Sequence, residues 1–563
     1  MIENVLKNLD IKLDPPTADE KTKDTIFALL NIIEAQAKQI SALRQQLQDL
    51  RDEINRLKGE QGKPDIKPNT KEKKHIDISS EKERKKKKKP RKKRKKNQHI
   101  EINRTEKCKV DKSKLPADAQ FKGYQTVVVQ GLKIEPDNVL FKKEVYYSPS
   151  EKKTYIADLP AGYEGGFDPT IKSLIIILKN VCNVSEPKIL DFLINVGIDI
   201  SAGSISNILI KDNEQFHEEK TEIVNAGLES TEYQQTDDTK ARVHGKNHHS
   251  HILCNPYYTA YTTKEKKNRL AVLEVLKNGN PLQYCLNQQA FEIVSQLKLG
   301  KKYLNQLKKL ESDIEYTENE FEQKISQLFP SITDRVKLKI FEAAAIASYR
   351  MGKGTAPPVV TTMMCDDAPQ FKLIFEQLAL CWVHDGRHYK KLCPVVPYNA
   401  QKLSEFLSQY WDYYHKLLDY KTMPLPETAE LLSVEFDQLF STKTGYNDLD
   451  DRILKTKNKK DNLLLVLKYP EIPLHNNASE LAARVMARKR DVSLHTMTTE
   501  GTKANDNFLT IVETCKKLGI NQFEYIVDRV SKKYQMPSLA KLIRDISNNK
   551  SLKIAIQNVT MKY

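Results

Sequence analysis

The chain has 563 residues, with 91 Lys and Arg against 74 Asp and Glu, a net charge of +17. Twelve of the 13 residues from Arg84 to Lys96 are Lys or Arg, which leaves about +5 elsewhere, so the basicity belongs to a tract and not to the folded body. At this length roughly three or four domains are expected, no 18-residue apolar run exists to cross a membrane, and eight Cys without a C-x-x-C pair make no disulfide framework. The start, MIENVLKNLDIKLDPP, has no secretory h-region, so a reducing, cytoplasmic setting is expected.

Within residues 1–60, Ile26, Ile33, Ile40, Leu47 and Ile54 recur every seven residues, each followed after three by Leu29, Gln36, Leu43, Leu50 and Leu57. An a/d seam over about five heptads predicts an oligomerising coiled coil; a long helix packed on its own protein is the plainer alternative. Residues 61–105 are rich in Gly, Pro, Lys and Asn, the composition of a disordered linker. Its basic cluster suits a sliding contact with a polyanion, with Arg84, Lys92 and Arg94 among the cations. A solvated tether or a nuclear-targeting signal would have the same composition.

Residues 106–168 resume a globular pattern, and TVVVQGLKI and KEVYYS predict a small β-rich module. Over residues 169–230, Ser185 is placed to cap a helix with Pro187 in its first turn, Gly197 ends it, and Ser201 starts the next. Two such helices fit a helix-turn-helix with Ser204, Ser206, Asn207 and Lys211 as reading residues, although any αα-hairpin has this pattern. From residue 231, EYQQTDDTKARV, HSHILCN and YYTAYTT read as consecutive strands. A charged helical stretch follows, then PPVVTTMMCDD and LALCWVHDG as two more short strands, helices over 396–470, a final helical unit from NNASELAARVMARKR, and a helical tail over 521–563.

Two acids stand at strand positions where a solvated carboxylate is unexpected, Asp237 in EYQQTD and Asp366 directly after VVTTMMC. Either alone is commonly a turn or cap residue. Glu480 falls on a helix starting near His475 or Asn476. At about 100° per residue, Asn477, Glu480, Arg484 and Arg488 share a wedge of roughly 80°, beside an apolar face of Leu481, Ala482, Val485 and Met486. These charges could simply form i,i+4 pairs. A carboxylate flanked by cations is also what a phosphodiester site needs, and Arg484, Arg488 and Lys489 are then expected to steady a DNA backbone.

The segments QTDDTKARVHGKN, CDDAPQF, CWVHDGRHYKKL and NNASELAARVMARKRDVSLHT, in that order, resemble the transposases of the insertion-sequence 66 family. The likeness extends in outline over nearly the whole chain. It implies a multidomain α+β protein with an RNase H-like α/β catalytic core over 231–520, interrupted by helical insertions at about 271–355 and 396–473, and preceded by an oligomerising coiled coil and by DNA-binding β-rich and helix-turn-helix regions. It further implies a DDE enzyme in which Asp237, Asp366 and Glu480 bind two Mg²⁺ or Mn²⁺ ions for DNA strand cleavage and strand transfer. Two such ions would clamp the attacking and leaving oxygens of an in-line displacement, and hard carboxylate oxygens suit them. The expected partners are DNA, as element ends and target, and further copies of the chain through the coiled coil, with no membrane and a nucleoid-associated location.

Asp238 and Asp367 double the acid at two positions and leave a one-residue choice at each; Asp237 and Asp366 are the expected ligands. Cys381, His384, His388 and Cys393 have zinc-like spacing, against which Cys381 reads as a packed strand residue. A non-catalytic DNA-binding regulator derived from a transposase and a structure-specific RNase H-fold nuclease are the competing functions.

Overall fold

A computed structural model describes residues 20–58, 100–116, 118–352 and 357–549; the basic tract, including Arg84, Lys92 and Arg94, lies outside them. The chain is a mixed α+β protein. Helix α1 (Glu20–Leu57) has no interior Pro or Gly, and it carries two distinct stripes. Leu30 and Glu34 are buried against the body, whereas Leu29, Ile40, Leu43, Leu47, Leu50, Ile54 and Leu57 of the heptad seam are exposed. The plainer alternative holds for the first half of this helix, which docks on its own chain along a face other than the seam.

Strands β1 (Val145–Ser148) and β2 (Lys153–Ile156) form an antiparallel ribbon. The expected β-rich module over 106–168 reduces to this ribbon. TVVVQGLKI forms no strand, and its Val127, Val129 and Leu132 are exposed. An isolated four-residue pair has no second face on which to bury such side chains. Four helices follow, α2 (Pro169–Asn180), α3 (Glu186–Asn195), α4 (Ala202–Ile210) and α5 (Glu214–Glu229). Ser185 and Ser201 occupy the N-cap positions of α3 and α4; Ser201 Oγ accepts from the Ser204 N–H at 3.1 Å, while Ser185 makes no such bond. Gly197, at φ 87°, supplies the left-handed residue that ends α3. Ile189, Leu193, Ile205 and Leu209 fill the space between the helices.

The central sheet has five strands, in the order β5-β4-β3-β6-β7. β3 (Tyr233–Val243), β4 (Lys246–Cys254) and β5 (Thr259–Lys264) form an antiparallel meander, and β6 (Thr362–Cys365) and β7 (Gln377–Leu380) continue it in parallel from β3. Between β5 and β6 run α6 (Arg269–Leu276), α7 (Gln288–Gln296), α8 (Lys301–Leu307), α9 (Glu318–Leu328) and α10 (Asp334–Met351). The buried run Ala343–Ala347 of α10, broken only by Ile346, keeps that helix close to its neighbours.

After β7 the chain turns into α11 (Trp382–Lys390), so CWVHDG is the start of a helix and not the strand expected from its apolar residues; Cys381 caps it, its Sγ accepting from the His384 N–H. Then come α12 (Pro397–Tyr420), α13 (Pro426–Leu439), α14 (Asn447–Lys457) and two single turns. Trp382 is wholly buried among Tyr410, Tyr413, Phe436 and Phe440, which ties α11 to α12 and α13. A Cβ on Gly386 would meet the Trp411 ring at 2.8 Å, so this crossing requires glycine. The last helices are α17 (Asn477–Ser493), α18 (Thr499–Leu518), α19 (Gln522–Val530) and α20 (Leu539–Asn548), counting the two single turns as α15 and α16.

Docking of α1 is specific. Its Glu34 carboxylate accepts the Val395 and Val396 N–H groups at 2.9 and 3.0 Å, capping the start of α12, where a negative charge suits the orphan donors and the helix dipole. Asn31 bridges to Gly445 and Asn447, Lys38 pairs with Asp448, and Phe27 stacks on Tyr398.

Candidate active site

Residues Tyr233–Thr236 of β3 are buried, and Asp237 is where the strand leaves the core. On the parallel neighbour, β6, Gln235 stands opposite Met364. Two residues further along both chains are Asp237 and Asp366, so one pleat phase carries both carboxylates to the same side. The start of α17 is fastened to the same place: Asn476 Nδ2 and Ser479 Oγ both donate to the Thr236 carbonyl, at 2.7 and 3.4 Å, and the Asn476 N–H donates to Cys381 Sγ at 3.3 Å. Glu480 follows one residue later. Ala482, Ala483 and Met486 seat α17 on Ile252 and Tyr261 of the meander, while Leu481 is exposed, contrary to the expected apolar face.

Asp237, Asp366 and Glu480 thereby line one cavity of about 290 Å³, together with Asp238, His384, Arg387, Asn476 and Arg484. Burial, joined by the charges of Asp366, Asp238 and Glu480, pushes the Asp237 carboxyl up to about 7. Burial also raises Asp366, opposed by His384. Glu480 is gripped by a fork from Arg387, with Nη1 to Oε1 at 3.2 Å and Nη2 to Oε2 at 2.9 Å. Among the described residues no three His, Cys, Asp or Glu side chains stand close enough together to hold one ion.

The doubled acids separate by their partners. Asp238 pairs with Lys267 at 2.5 Å and accepts from Gln370 Nε2 at 2.7 Å. Asp367 does not line the cavity; burial works against its charge, but Lys372 and Lys459 at 2.8 and 2.6 Å outweigh this and hold its carboxyl below the usual range. Asp237 and Asp366 have no salt bridge among the described residues. Asp366 Oδ1 accepts the Ala368 N–H at 3.1 Å, so it also makes the turn that its position suggested.

Arg484 and Arg488 are exposed on α17, Arg484 at the cavity. Lys489 departs from the exposed face of this helix: it is 5% exposed and donates to Asn180 Oδ1, so it does not stand beside Arg484 and Arg488 at the surface. Asn207 and Lys211 of α4 are exposed, whereas Ser204 is half-buried and bonded to Ser201 Oγ at 2.9 Å. His384 and Arg387 reach the cavity from α11 and not from a strand; their i,i+3 spacing puts both on one side of that helix.

Residues 342–504, the span holding Asp366 and Glu480 but not Asp237, match the family described as Transposase IS66 family. An uncharacterized protein of Sinorhizobium fredii, y4jO, is 32% identical over 308 residues, covering 55% of this chain and 94% of the relative. The chain belongs to the IS66 family of transposases. No solved structure matches it significantly.

Proposed function

We propose that the chain is a DDE transposase that binds element ends and performs metal-dependent DNA strand cleavage and strand transfer, with Asp237, Asp366 and Glu480 as its catalytic acids. The observation that carries this reading is that three carboxylates from β3, the end of β6 and the start of α17 line one cavity. A meander extended by two parallel strands, with helical insertions on either side of β6 and β7, supports an RNase H-like core. The exposed seam of α1 supports a coiled-coil oligomer, and the α3–α4 pair, presenting Asn207 and Lys211, supports a helix-turn-helix on DNA.

The side chains fit a divalent cation. Repulsion and burial have raised two carboxyls in a way that a bound cation would reverse, and the buried Asn476 Oδ1 at the cavity has no hydrogen-bond partner. Hard oxygen donors suit Mg²⁺ or Mn²⁺, which would supply charge neutralisation at the scissile phosphate. Asp237 and Asp366 are placed to hold such an ion, and Glu480 joins them once it leaves Arg387. Arg484 and Arg488 then lie beside the phosphodiester path. No hydroxyl or thiol of the protein is required as nucleophile, since water and a freed DNA 3′-hydroxyl serve as attacking groups.

The test is a strand-transfer assay on the element's own ends with Mg²⁺. Asp237→Ala, Asp366→Ala and Glu480→Ala are each expected to remove cleavage and joining while end binding persists; retained activity in any one overturns the assignment. End binding by the native chain with no divalent-dependent cleavage would return the regulator reading.

A further inference from the structure

A second cavity, also about 290 Å³, opens where α2, α4, β3, α17 and the start of α18 meet. It shares two elements with the acid cluster. Along β3 it lies three to six residues beyond Asp237, roughly 10–20 Å at about 3.3 Å per residue. Along α17 it lies six to thirteen residues beyond Glu480, roughly 9–20 Å at 1.5 Å per residue. A DNA strand covers such a distance in roughly three to six nucleotides at 3.4 Å of rise each.

The wall is chemically divided. Lys179, Lys240, Arg242, Lys489 and Arg490 stand around it, with Glu186 as the opposing acid. Glu186 is occupied by Lys179 at 3.2 Å, so a surplus of cation remains. Lys489 is enclosed with a neutral amide, Asn180, as its partner; burial, with Lys179 nearby, lowers its ammonium to about 7, so an anion here would recover a charge that the fold alone suppresses. Leu209, Met486 and Phe508 supply an apolar part of the wall, and Ser, Thr and Asn side chains line much of the rest. The volume is at the small end for ligand sites, about 300–1,000 Å³. It admits one base and excludes a duplex.

Resting on the reading of the acid cluster as the cutting site, we infer that this cavity is a pocket for a single unpaired nucleotide of the DNA strand leading to that site, the base against the apolar wall and the phosphate among the cations. The ligand class is a nucleotide within a strand; its two chemical parts, phosphate and base, are separated by the test.

The full-length protein is titrated in EDTA against a fluorescent ten-residue oligothymidylate and against an abasic strand of the same length. Phosphate contacts, including any by the basic tract, are common to both strands, so the difference reads the base. The intact strand is expected to bind about tenfold tighter, within the range for base stacking in proteins. Ser206→Trp, which fills the cavity from α4, and Met497→Trp, which closes its mouth from an exposed position, are each expected to abolish the difference. Equal binding of the two strands by the native protein overturns the pocket, leaving phosphate affinity only. A preference that survives Met497→Trp and a folded Ser206→Trp places base recognition elsewhere and overturns it equally. Because no cleavage is read, failure of the catalytic assignment shows in the metal-dependent assay and failure of the pocket shows here.

Discussion

Asp237 carries the strongest electrostatic consequence at the scale of one residue. Its carboxyl titrates near 7 in the folded chain, against about 4 when unfolded. A raised value favours the folded state while the group is protonated, so its contribution is intact below pH about 4 and is lost as pH rises to about 7. Three units correspond to an upper bound of about 4 kcal/mol. Asp237→Asn is therefore expected to match the native protein at pH 4 and to exceed its stability by a few kcal/mol at pH 8, in urea melts with EDTA. Added Mn²⁺ should close that gap by stabilising the native protein alone. Arg387 competes with any cation for Glu480. Arg387→Ala is expected to lower the Mn²⁺ concentration needed for half-maximal thermal stabilisation several-fold; an unchanged midpoint would mean that the fork does not restrain Glu480.

Individual elements differ in how far residues alone disclose them. The five strands of the sheet were legible where alternation or a short apolar run ended at a turn, and Asp237 and Asp366 were legible as acids breaking those runs. The doubled acids were not separable, because the lysines that neutralise Asp238 and Asp367 come from 267, 372 and 459, distant in sequence. CWVHDG misled because burial of Trp382 and Val383 arises from helices α12 and α13, and short apolar runs do not distinguish strand from buried helix. TVVVQGLKI misled in the opposite sense, since β propensity without a covering surface forms no sheet. The burial of Lys489 was not legible because periodicity gives a direction around α17 but not the presence of α2 over that direction. The α11–α12 crossing supplies a packing prediction: Gly386→Ala forces a methyl onto Trp411 and is expected to cost about 1–3 kcal/mol in denaturant melts.

For the whole molecule, α1 joins two associations, one within the chain and one proposed between chains. Glu34→Gln leaves shape but removes the charge at the α12 start, and a loss of about 1–3 kcal/mol in the docked state is expected. Hydrogen exchange over residues 20–38 should rise while exchange in the central sheet stays constant. The seam is separate from the docking face. Leu47→Glu with Leu50→Glu is accordingly expected to yield monomers by light scattering without loosening residues 20–38; an unchanged mass would exclude α1 as the oligomeriser.

The anchorage of α1 also sets a length scale. Among the described residues its last side-chain tie to the body is Lys38 on Asp448, and the helix continues to Leu57, a further span of roughly 29 Å at 1.5 Å per residue. Paired with a twin, such a rod acts as a gauge. In the proposed oligomer each body would be held at a fixed bearing from the rod, so the two proposed cutting centres would be presented to DNA at a set separation, and loosening Glu34 would blur that spacing before it affected either centre.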